Sequence, residues 1–402
     1  MPEIQVGSAP DTIAIIPGSG NAHGMVFAAN INTNSVTVID DTTYAILATI
    51  PVGSTPVGIA TSSDKKIYVA NFNSNSVTAI NPTNIATPTN PNPTNPNPVI
   101  ATIPVGKNPV FVGSNPLSPG IAVANFASGD ITTIDPSTNK GTQRTVGAGA
   151  NPLAIACLRG IWASAIFDNN VVMLSGGQYT TTPVFVPVGG TYPVDIVAAS
   201  GNFYVANAGT TNISAISLPL RGAPTASPVQ VGNHPVDIAV NTATNMIYVA
   251  NFDSNSITVI DSTKIGGTTN PFVTEIPLNQ AGPLDIAVSP TNKKVYVANF
   301  GSNSVSIIDA TTNTLKTNVP VGVNPFYVTV NPTNGDVYVA NFLTNNVSVI
   351  DGVSDTAKQA IQTGAPCVAI APMTIAVGIT PVVPGGGTNR VYIANTAIAV
   401  SP

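Results

Sequence analysis

The sequence predicts an all-β protein assembled from repeated four-stranded units, and three observations support that prediction. The 402 residues include 34 Gly and 36 Pro, two residue types that disfavour helix interiors. One phrase recurs along the whole chain with a period a little above 40 residues. Each copy of that phrase divides into four short apolar runs separated by turn residues. A chain of this kind is typical of a β-repeat protein.

The repeated core reads V-Y-V-A-N-F-x-S-N-S-V-T-V-I-D, and a second phrase, V-G-x-x-P-x-x-I-A-V, precedes it in each unit. The Asn of the core recurs at spacings of 40 to 54 residues. Its nine positions, one of them occupied by Ala, are Asn30, Asn71, Asn125, Ala165, Asn207, Asn251, Asn299, Asn341 and Asn395. Nine copies that cover the chain predict one domain, residues 1–402.

Four strands in a little over 40 residues indicate a blade of a β-propeller, with strands a to d running from the central channel outward. The chain opens with a lone d-type run, Ile4 to Gly7, and its last copy supplies only strands a to c. We therefore expect the N-terminal strand to complete the last blade, which leaves no unpaired edge. This arrangement predicts nine blades, with eight as the alternative if one degenerate copy packs as an insertion.

Only 8% of the residues are charged, against about 25% in an ordinary soluble protein. The formal net charge is -5, and the Lys and Arg residues are scattered without clusters. Nucleic acid is therefore disfavoured as a partner, because phosphate binding needs clustered cations. Although 43% of the residues are hydrophobic, no run of 18 apolar residues occurs, so we expect no membrane-spanning helix.

The tetrapeptide Tyr-Val-Ala-Asn carries a resemblance to a known family. It occurs at residues 68–71, 204–207, 248–251, 296–299 and 338–341. The chain resembles the YVTN family of β-propeller repeat proteins over essentially its whole length. That family includes archaeal surface-layer proteins and exported bacterial proteins, so the resemblance implies a non-enzymatic protein of the cell surface or extracellular space. No signal peptide is visible from Met1 onward, so a removed leader and a cytoplasmic location both stay open.

The repeated Asn is expected to end strand b and to enter a tight turn, where its amide bonds neighbouring backbone groups. These structural turn positions are Asn30, Asn71, Asn125, Asn207, Asn251, Asn299, Asn341 and Asn395. The Phe that follows in five copies is expected to pack between adjacent blades. The alternative is a ring of exposed aromatic side chains for carbohydrate or peptide contact.

One position of the second phrase is acidic in three successive units, as Asp195, Asp237 and Asp285. These residues predict an acidic arc near the channel mouth, where carboxylates could bind Ca²⁺ or another hard cation. The favoured alternative is that each Asp bonds backbone N–H groups. Ca²⁺ is thus a possible ligand, and no other cofactor is expected.

No catalytic residues can be assigned. The two histidines, His23 and His234, lie in different units, and neither has a Cys or His neighbour at metal-ligand spacing. We therefore expect a protein that is not an enzyme. The alternative is a metal-assisted lyase or hydrolase at the channel mouth that uses the three Asp residues.

Sorting loops by the strands they join predicts two different faces. Connections d-to-a and b-to-c form the short-loop face, and connections a-to-b and c-to-d form the long-loop face. The long insertions at 81–98, 218–228, 262–272 and 378–389 all belong to the long-loop face. The first is a low-complexity loop whose candidate contact residues are Asn90, Asn92, Asn95 and Asn97. We expect this face to engage a protein, a glycan or another copy of the chain, and the short-loop face to admit cations.

Overall fold

The computed structural model describes residues 3–18, 23–87, 90–114, 120–145, 151–157, 161–165, 169–174, 184–218, 223–265 and 271–358. These residues form 33 β-strands and two short 3₁₀ helices, Pro82–Asn84 and Ser262–Lys264. The strands coincide with the runs of Val, Ile, Tyr and Ala, residues whose side chains pack well on a pleated surface. Within the described residues, no helix is long and apolar enough to cross a membrane.

After a short first strand, β1 (Glu3–Gln5), the chain forms seven antiparallel sheets of four consecutive strands. The first four are β2–β5 (Pro10–Ile16, Met25–Asn30, Ser35–Asp40, Ile46–Pro51), β6–β9 (Pro56–Thr61, Ile67–Asn71, Ser76–Ile80, Val99–Pro104), β10–β13 (Pro109–Ser114, Ile121–Asn125, Asp130–Asp135, Lys140–Thr145) and β14–β17 (Pro152–Cys157, Ile161–Ala165, Asn170–Leu174, Val184–Pro187). The next three are β18–β21 (Pro193–Ala199, Asn202–Asn207, Asn212–Ser217, Thr225–Gln230), β22–β25 (Pro235–Asn241, Met246–Asn251, Ser256–Asp261, Phe272–Pro277) and β26–β29 (Pro283–Val288, Lys294–Asn299, Ser304–Asp309, Thr314–Pro320).

A composite sheet closes the ring. It contains β30 (Pro325–Val330), β31 (Val337–Asn341), β32 (Asn346–Asp351) and β33 (Thr356–Ala357), and β1 pairs antiparallel with β32. Ile4 lies opposite Val347 in this pairing. Strand β2 of the first blade then contacts both β30 and β31, so the first and last sheets are neighbours.

The predicted blade count is wrong. We expected nine blades, or alternatively eight, whereas the described residues form seven four-stranded blades and the one composite sheet. The ring closes early because β1 pairs with the copy at residues 325–351 and not with the copy around Asn395. That last copy lies outside the described residues, as does the expected insertion at 378–389.

The core lies between adjacent blades. Where burial is described, the side chains of strands b and c are mostly buried on both faces of the sheet because a neighbouring blade covers each face. The Tyr of the repeated tetrapeptide is fully buried in all five copies, Tyr68, Tyr204, Tyr248, Tyr296 and Tyr338. Strand d forms the outer edge, and in five blades it ends in Pro, which an edge strand tolerates although Pro cannot donate a backbone hydrogen bond.

Candidate functional site

The Asn that ends strand b joins strands b and c through its side chain. Asn251 is completely buried, and its Nδ2 donates to Ser256 Oγ at 3.2 Å and Thr258 Oγ1 at 2.8 Å. The residues five and seven positions later accept the same two bonds from Asn30, Asn71, Asn125, Asn207, Asn299 and Asn341. Each of these seven Asn residues ends its b strand, but its amide bonds side chains of strand c where we expected neighbouring backbone groups. Asn395 lies outside the described residues.

The buried Asn also explains the Gly of the V-G phrase. A Cβ atom on Gly232 would lie 2.7 Å from Asn251 Cγ, which is closer than real Cβ contacts. The same close approach joins Gly53 to Asn71 and Gly322 to Asn341. This Gly is therefore required by the packing of strand d against the turn.

A second Asn lies immediately before strand c in six of the sheets and bonds the following blade, a role that sequence reasoning missed. Asn255 has a positive φ of 53°, and its Oδ1 accepts the N–H of Gly282 in the next blade at 2.9 Å. The corresponding bonds run from Thr55 to Asn34, from Asn108 to Asn75, from Tyr192 to Asn169, from Asn324 to Asn303 and, across the closure, from Ala9 to Asn345. The repeated S-N-S phrase was the available signal.

The three predicted cation ligands lie on strand a at the junctions between blades. Asp195 Oδ2 accepts the N–H of Ile238 at 3.1 Å. Asp237 does the same for Ile286 at 2.7 Å, and Asp285 for Val328 at 2.8 Å. All three residues are buried. Each carboxylate thus bonds the neighbouring blade, and among the described residues no three His, Cys, Asp or Glu side chains gather as metal ligands.

A cavity of about 130 Å³ occupies the channel at the short-loop face. The starts of the inner strands line it, and their side chains are mainly apolar. The lining includes Val57, Val110, Phe111, Leu153, Val194 and Phe326, together with Asp11 and Tyr327. Asp11 is buried and is the carboxylate of this lining. The expected acidic arc is therefore displaced from the cavity, whose surface suits an apolar group better than a cation.

The Phe that follows the repeated Asn packs between blades, as predicted. Phe72 is 2% exposed and contacts Ile31 and Val57 of the neighbouring unit and strand. Phe300 and Phe342 each contact the ring of Phe326, with centroids 6.4 and 6.2 Å apart. The other four Phe residues of the repeat are half-buried against the cores between blades, which argues against a ring of fully exposed aromatic side chains.

The long-loop face carries a polar cluster where the two ends of the ring meet. Lys358 Nζ lies 2.7 Å from Asp336 Oδ1 and 2.8 Å from Tyr44 OH. Burial raises the pKa of Tyr44 to about 12. Burial acts against the charged form of Lys358, but its bonds to Asp336 and Tyr44 outweigh that effect and raise the pKa of the ammonium group. The cluster joins the first blade to the closing sheet.

The two histidines each contact one carboxylate in separate blades. His23 Nδ1 lies 2.6 Å from Asp40 Oδ2, and His234 Nδ1 lies 3.0 Å from Asp253 Oδ2.

The candidate interaction loop connects β8 to β9 on the long-loop face. Its base is closed by the bond from Asn81 N–H to Pro98 O at 2.8 Å, and Asn84 Nδ2 donates to Asn97 O at 2.7 Å. The four candidate contact residues, Asn90, Asn92, Asn95 and Asn97, are all exposed. No charged residue occurs between 81 and 98. The loop therefore presents uncharged amides and prolines on an anchored base; residues 88–89 are outside the described part.

A closed ring of four-stranded sheets around a narrow channel defines the protein as a β-propeller. Solved structures of the same shape include AztD from Citrobacter koseri, with a TM-score of 0.63 at 16% identity over 84% of this chain and 94% of that one. Dihydro-heme d1 dehydrogenase NirN matches with a TM-score of 0.67 at 14% identity, over 89% of this chain and 77% of that one. Streptogramin B lyase matches with a TM-score of 0.55 at 17% identity, over 73% of this chain and 93% of that one.

These likenesses show the fold alone, since the proteins concerned include enzymes of different kinds. No family model matches the chain, and no curated protein sequence matches it.

Proposed function

We propose that the protein is a non-enzymatic β-propeller scaffold of the cell surface or extracellular space that binds a protein, a glycan or another copy of itself through its long-loop face. One observation carries this proposal. The polar side chains that repeat in most blades bond other parts of the ring, whereas the uncharged loop at 81–98 extends from the ring with its four candidate amides exposed. Specific binding is commonly added to a rigid scaffold by such variable loops.

Another copy of the chain is the first partner to test. With only 8% charged residues and a net charge of -5, the surface offers little electrostatic repulsion between copies. The loop supplies Asn side chains that can both donate and accept hydrogen bonds, so two identical loops are chemically complementary. The resemblance to YVTN-family surface-layer proteins favours the same partner.

The experiment replaces residues 90–97 with a short Gly-Ser turn and measures association by sedimentation velocity, and glycan binding on a glycan microarray. We expect the wild-type protein to associate or to bind a glycan class, and the loop variant to remain a folded monomer without that binding. The matched control carries Asn32→Ser and Asn233→Ser, which remove two exposed amides from the short-loop face. Binding that survives loop replacement but fails in this control would contradict the proposal.

The enzymatic alternative is a metal-assisted lyase or hydrolase built on Asp195, Asp237 and Asp285. It receives less support because each of these carboxylates accepts a backbone hydrogen bond from the next blade. Calorimetric titration with Ca²⁺ and Mg²⁺ tests it directly. We expect no binding at millimolar metal, and a saturable signal that Asp237→Asn removes would favour the enzyme.

A further inference from the structure

The position two residues after the Pro of the second phrase divides the inner strands into two groups. In three successive blades it is Asp195, Asp237 or Asp285, and each carboxylate accepts a backbone N–H from the next inner strand. In the other described copies this position is not acidic. Those residues are Thr12, Gly58, Phe111, Ala154 and Tyr327, and all five line the cavity in the channel. The cavity therefore lies on the side of the channel where this position carries no bridging carboxylate.

Small and apolar residues give this cavity its room and its walls. Gly58 and Ala154 are smaller than the Asp of the other blades, so they fill less of the channel. Val57, Leu153 and Val194 occupy the preceding position, where they line the same cavity and are buried. The cavity volume is about 130 Å³. Because a cavity of about 150 Å³ with Leu, Ile and Phe walls stays dry and binds benzene, this volume is close to that of one six-membered ring.

The chemistry of the lining favours a neutral aromatic ligand. Phe111, Phe326 and Tyr327 line the cavity, and aromatic side chains prefer edge-to-face or offset contacts with another ring. Asp11 is buried in the lining, and no Lys or Arg lies among the described lining residues. An anionic ligand would therefore meet a carboxylate without a cation to pair with. A cationic ligand would exchange its water for walls that are mainly apolar.

One hydroxyl group of the lining residues is left over from the bonds that hold the ring together. Within the described part of the chain, Thr12 Oγ1 is buried and has no hydrogen-bond partner. Buried polar groups nearly always have a partner, because leaving one unsatisfied costs free energy. A hydroxyl can both donate and accept, so a hydroxyl group on a bound molecule would satisfy it.

We propose that the cavity in the channel is a binding site for a neutral single-ring phenol. The ring of the ligand contacts the apolar walls, and its hydroxyl group forms a hydrogen bond with Thr12 Oγ1. This inference goes beyond the proposed function, because it concerns a small molecule at the short-loop end of the channel. The loop at 81–98 lies on the opposite face, so each site can be altered without the other.

Fluorine NMR titration of the full chain with 4-fluorophenol and with fluorobenzene tests the site. We expect saturable line broadening of 4-fluorophenol, with a dissociation constant of about 1 mM for so small a ligand. Fluorobenzene lacks the hydroxyl group and should bind about three- to tenfold more weakly, the effect of one net hydrogen bond. Thr12→Val removes the protein hydroxyl at nearly constant size. It should erase the difference between the two probes and leave the melting temperature unchanged, because Thr12 Oγ1 has no bond to lose within the described residues.

Variants that change the size of the cavity test its position. Val110 is half-buried in the lining, so Val110→Phe should fill the cavity and abolish binding of both probes. The matched control is Val240→Phe, the same change at a half-buried position of β22 outside the lining, which should bind as the wild type does. Leu153→Ala enlarges the cavity and should admit the two-ring probe 6-fluoroindole, which the wild type excludes. This gain of binding keeps the test decisive if Val110→Phe does not fold.

The protein with a Gly-Ser turn in place of residues 90–97 should bind 4-fluorophenol like the wild type, whatever its effect on association. The proposal is overturned if 4-fluorophenol shows no saturable broadening at about ten times the expected dissociation constant. It is also overturned if folded Val110→Phe binds 4-fluorophenol as tightly as the wild type, or if the wild type binds fluorobenzene and 4-fluorophenol equally.

Discussion

The bond between Asp237 and the next blade gives the sharpest distinction between a structural carboxylate and a cation ligand. Asp237 Oδ2 accepts the N–H of Ile286 at 2.7 Å, and the Asp is 5% exposed. Asp237→Ala leaves that buried N–H without its acceptor. Losing a hydrogen bond to a charged group costs about 1.5–3 kcal/mol. Asp237→Asn keeps an oxygen acceptor, so we expect a smaller loss.

The expected shift in melting temperature follows from the size of the protein. Unfolding entropy is about 2 cal/mol/K per residue, which is roughly 0.7 kcal/mol/K for the about 320 residues that the structure describes. The loss for Asp237→Ala then corresponds to about 2–4 °C by the same scaling. Differential scanning calorimetry in metal-free buffer measures it.

The control is Asp253→Ala on the same face, whose side chain is 46% exposed beside His234. A carboxylate this exposed to water contributes little through its ion pair, so its loss should change the free energy of unfolding by about 0.5 kcal/mol or less. The reasoning is refuted if Asp237→Ala melts with the wild type in metal-free buffer. A Ca²⁺-dependent rise in melting temperature that only Asp237→Ala lacks would make the carboxylate a cation ligand.

Two further predictions concern packing and pH. Gly232→Ala should lower the free energy of unfolding by about 1–3 kcal/mol because the new Cβ meets the buried Asn251. The control is Gly120→Ala, whose Cβ would meet nothing within 4 Å and which should be nearly neutral in the same thermal unfolding experiment. The backbone N–H of Ser354 holds the pKa of Asp351 below its ordinary value. Because the pKa of Asp351 is lowered by folding, its ionised carboxylate stabilises the fold at pH values above the unfolded-state pKa near 4. This stabilisation should be lost as the pH falls through the folded-state pKa. We therefore expect Asp351→Asn to reduce the fall in melting temperature that acid causes. Unchanged acid sensitivity in Asp351→Asn would contradict this assignment.

Local features of each blade could be predicted from the sequence because one unit contains all the residues that determine them. The turn role of Asn251 and the edge position of Pro277 follow from residues within the same blade. The partner of β1 could not be predicted in this way, since every c strand offers a nearly identical edge to an I-x-V-G segment. Choosing β32 over the last copy depends on how many sheets close the ring, which is a property of the whole assembly.

The candidate site also combines features that one blade determines with features that depend on several blades. The sequence places Asp237 near the channel, but its acceptor role depends on Ile286, 49 residues later in another blade. The apolar cavity was missed because its lining comes from positions that vary between copies, such as Val57, Leu153 and Phe326. The segment at 81–98 connects β8 to β9, and its position between strands could be predicted because low-complexity Asn-Pro sequence cannot extend a strand.

The central claim is that partners meet the long-loop face. Amide hydrogen exchange tests it most directly when the wild-type protein is measured both in dilute solution and at a concentration where it associates. The account predicts that association slows exchange at residues 90–97 and leaves the short-loop turns at 32–34 and 73–75 unchanged. Protection of the short-loop turns, with the loop at 90–97 exchanging equally fast in both conditions, would contradict it.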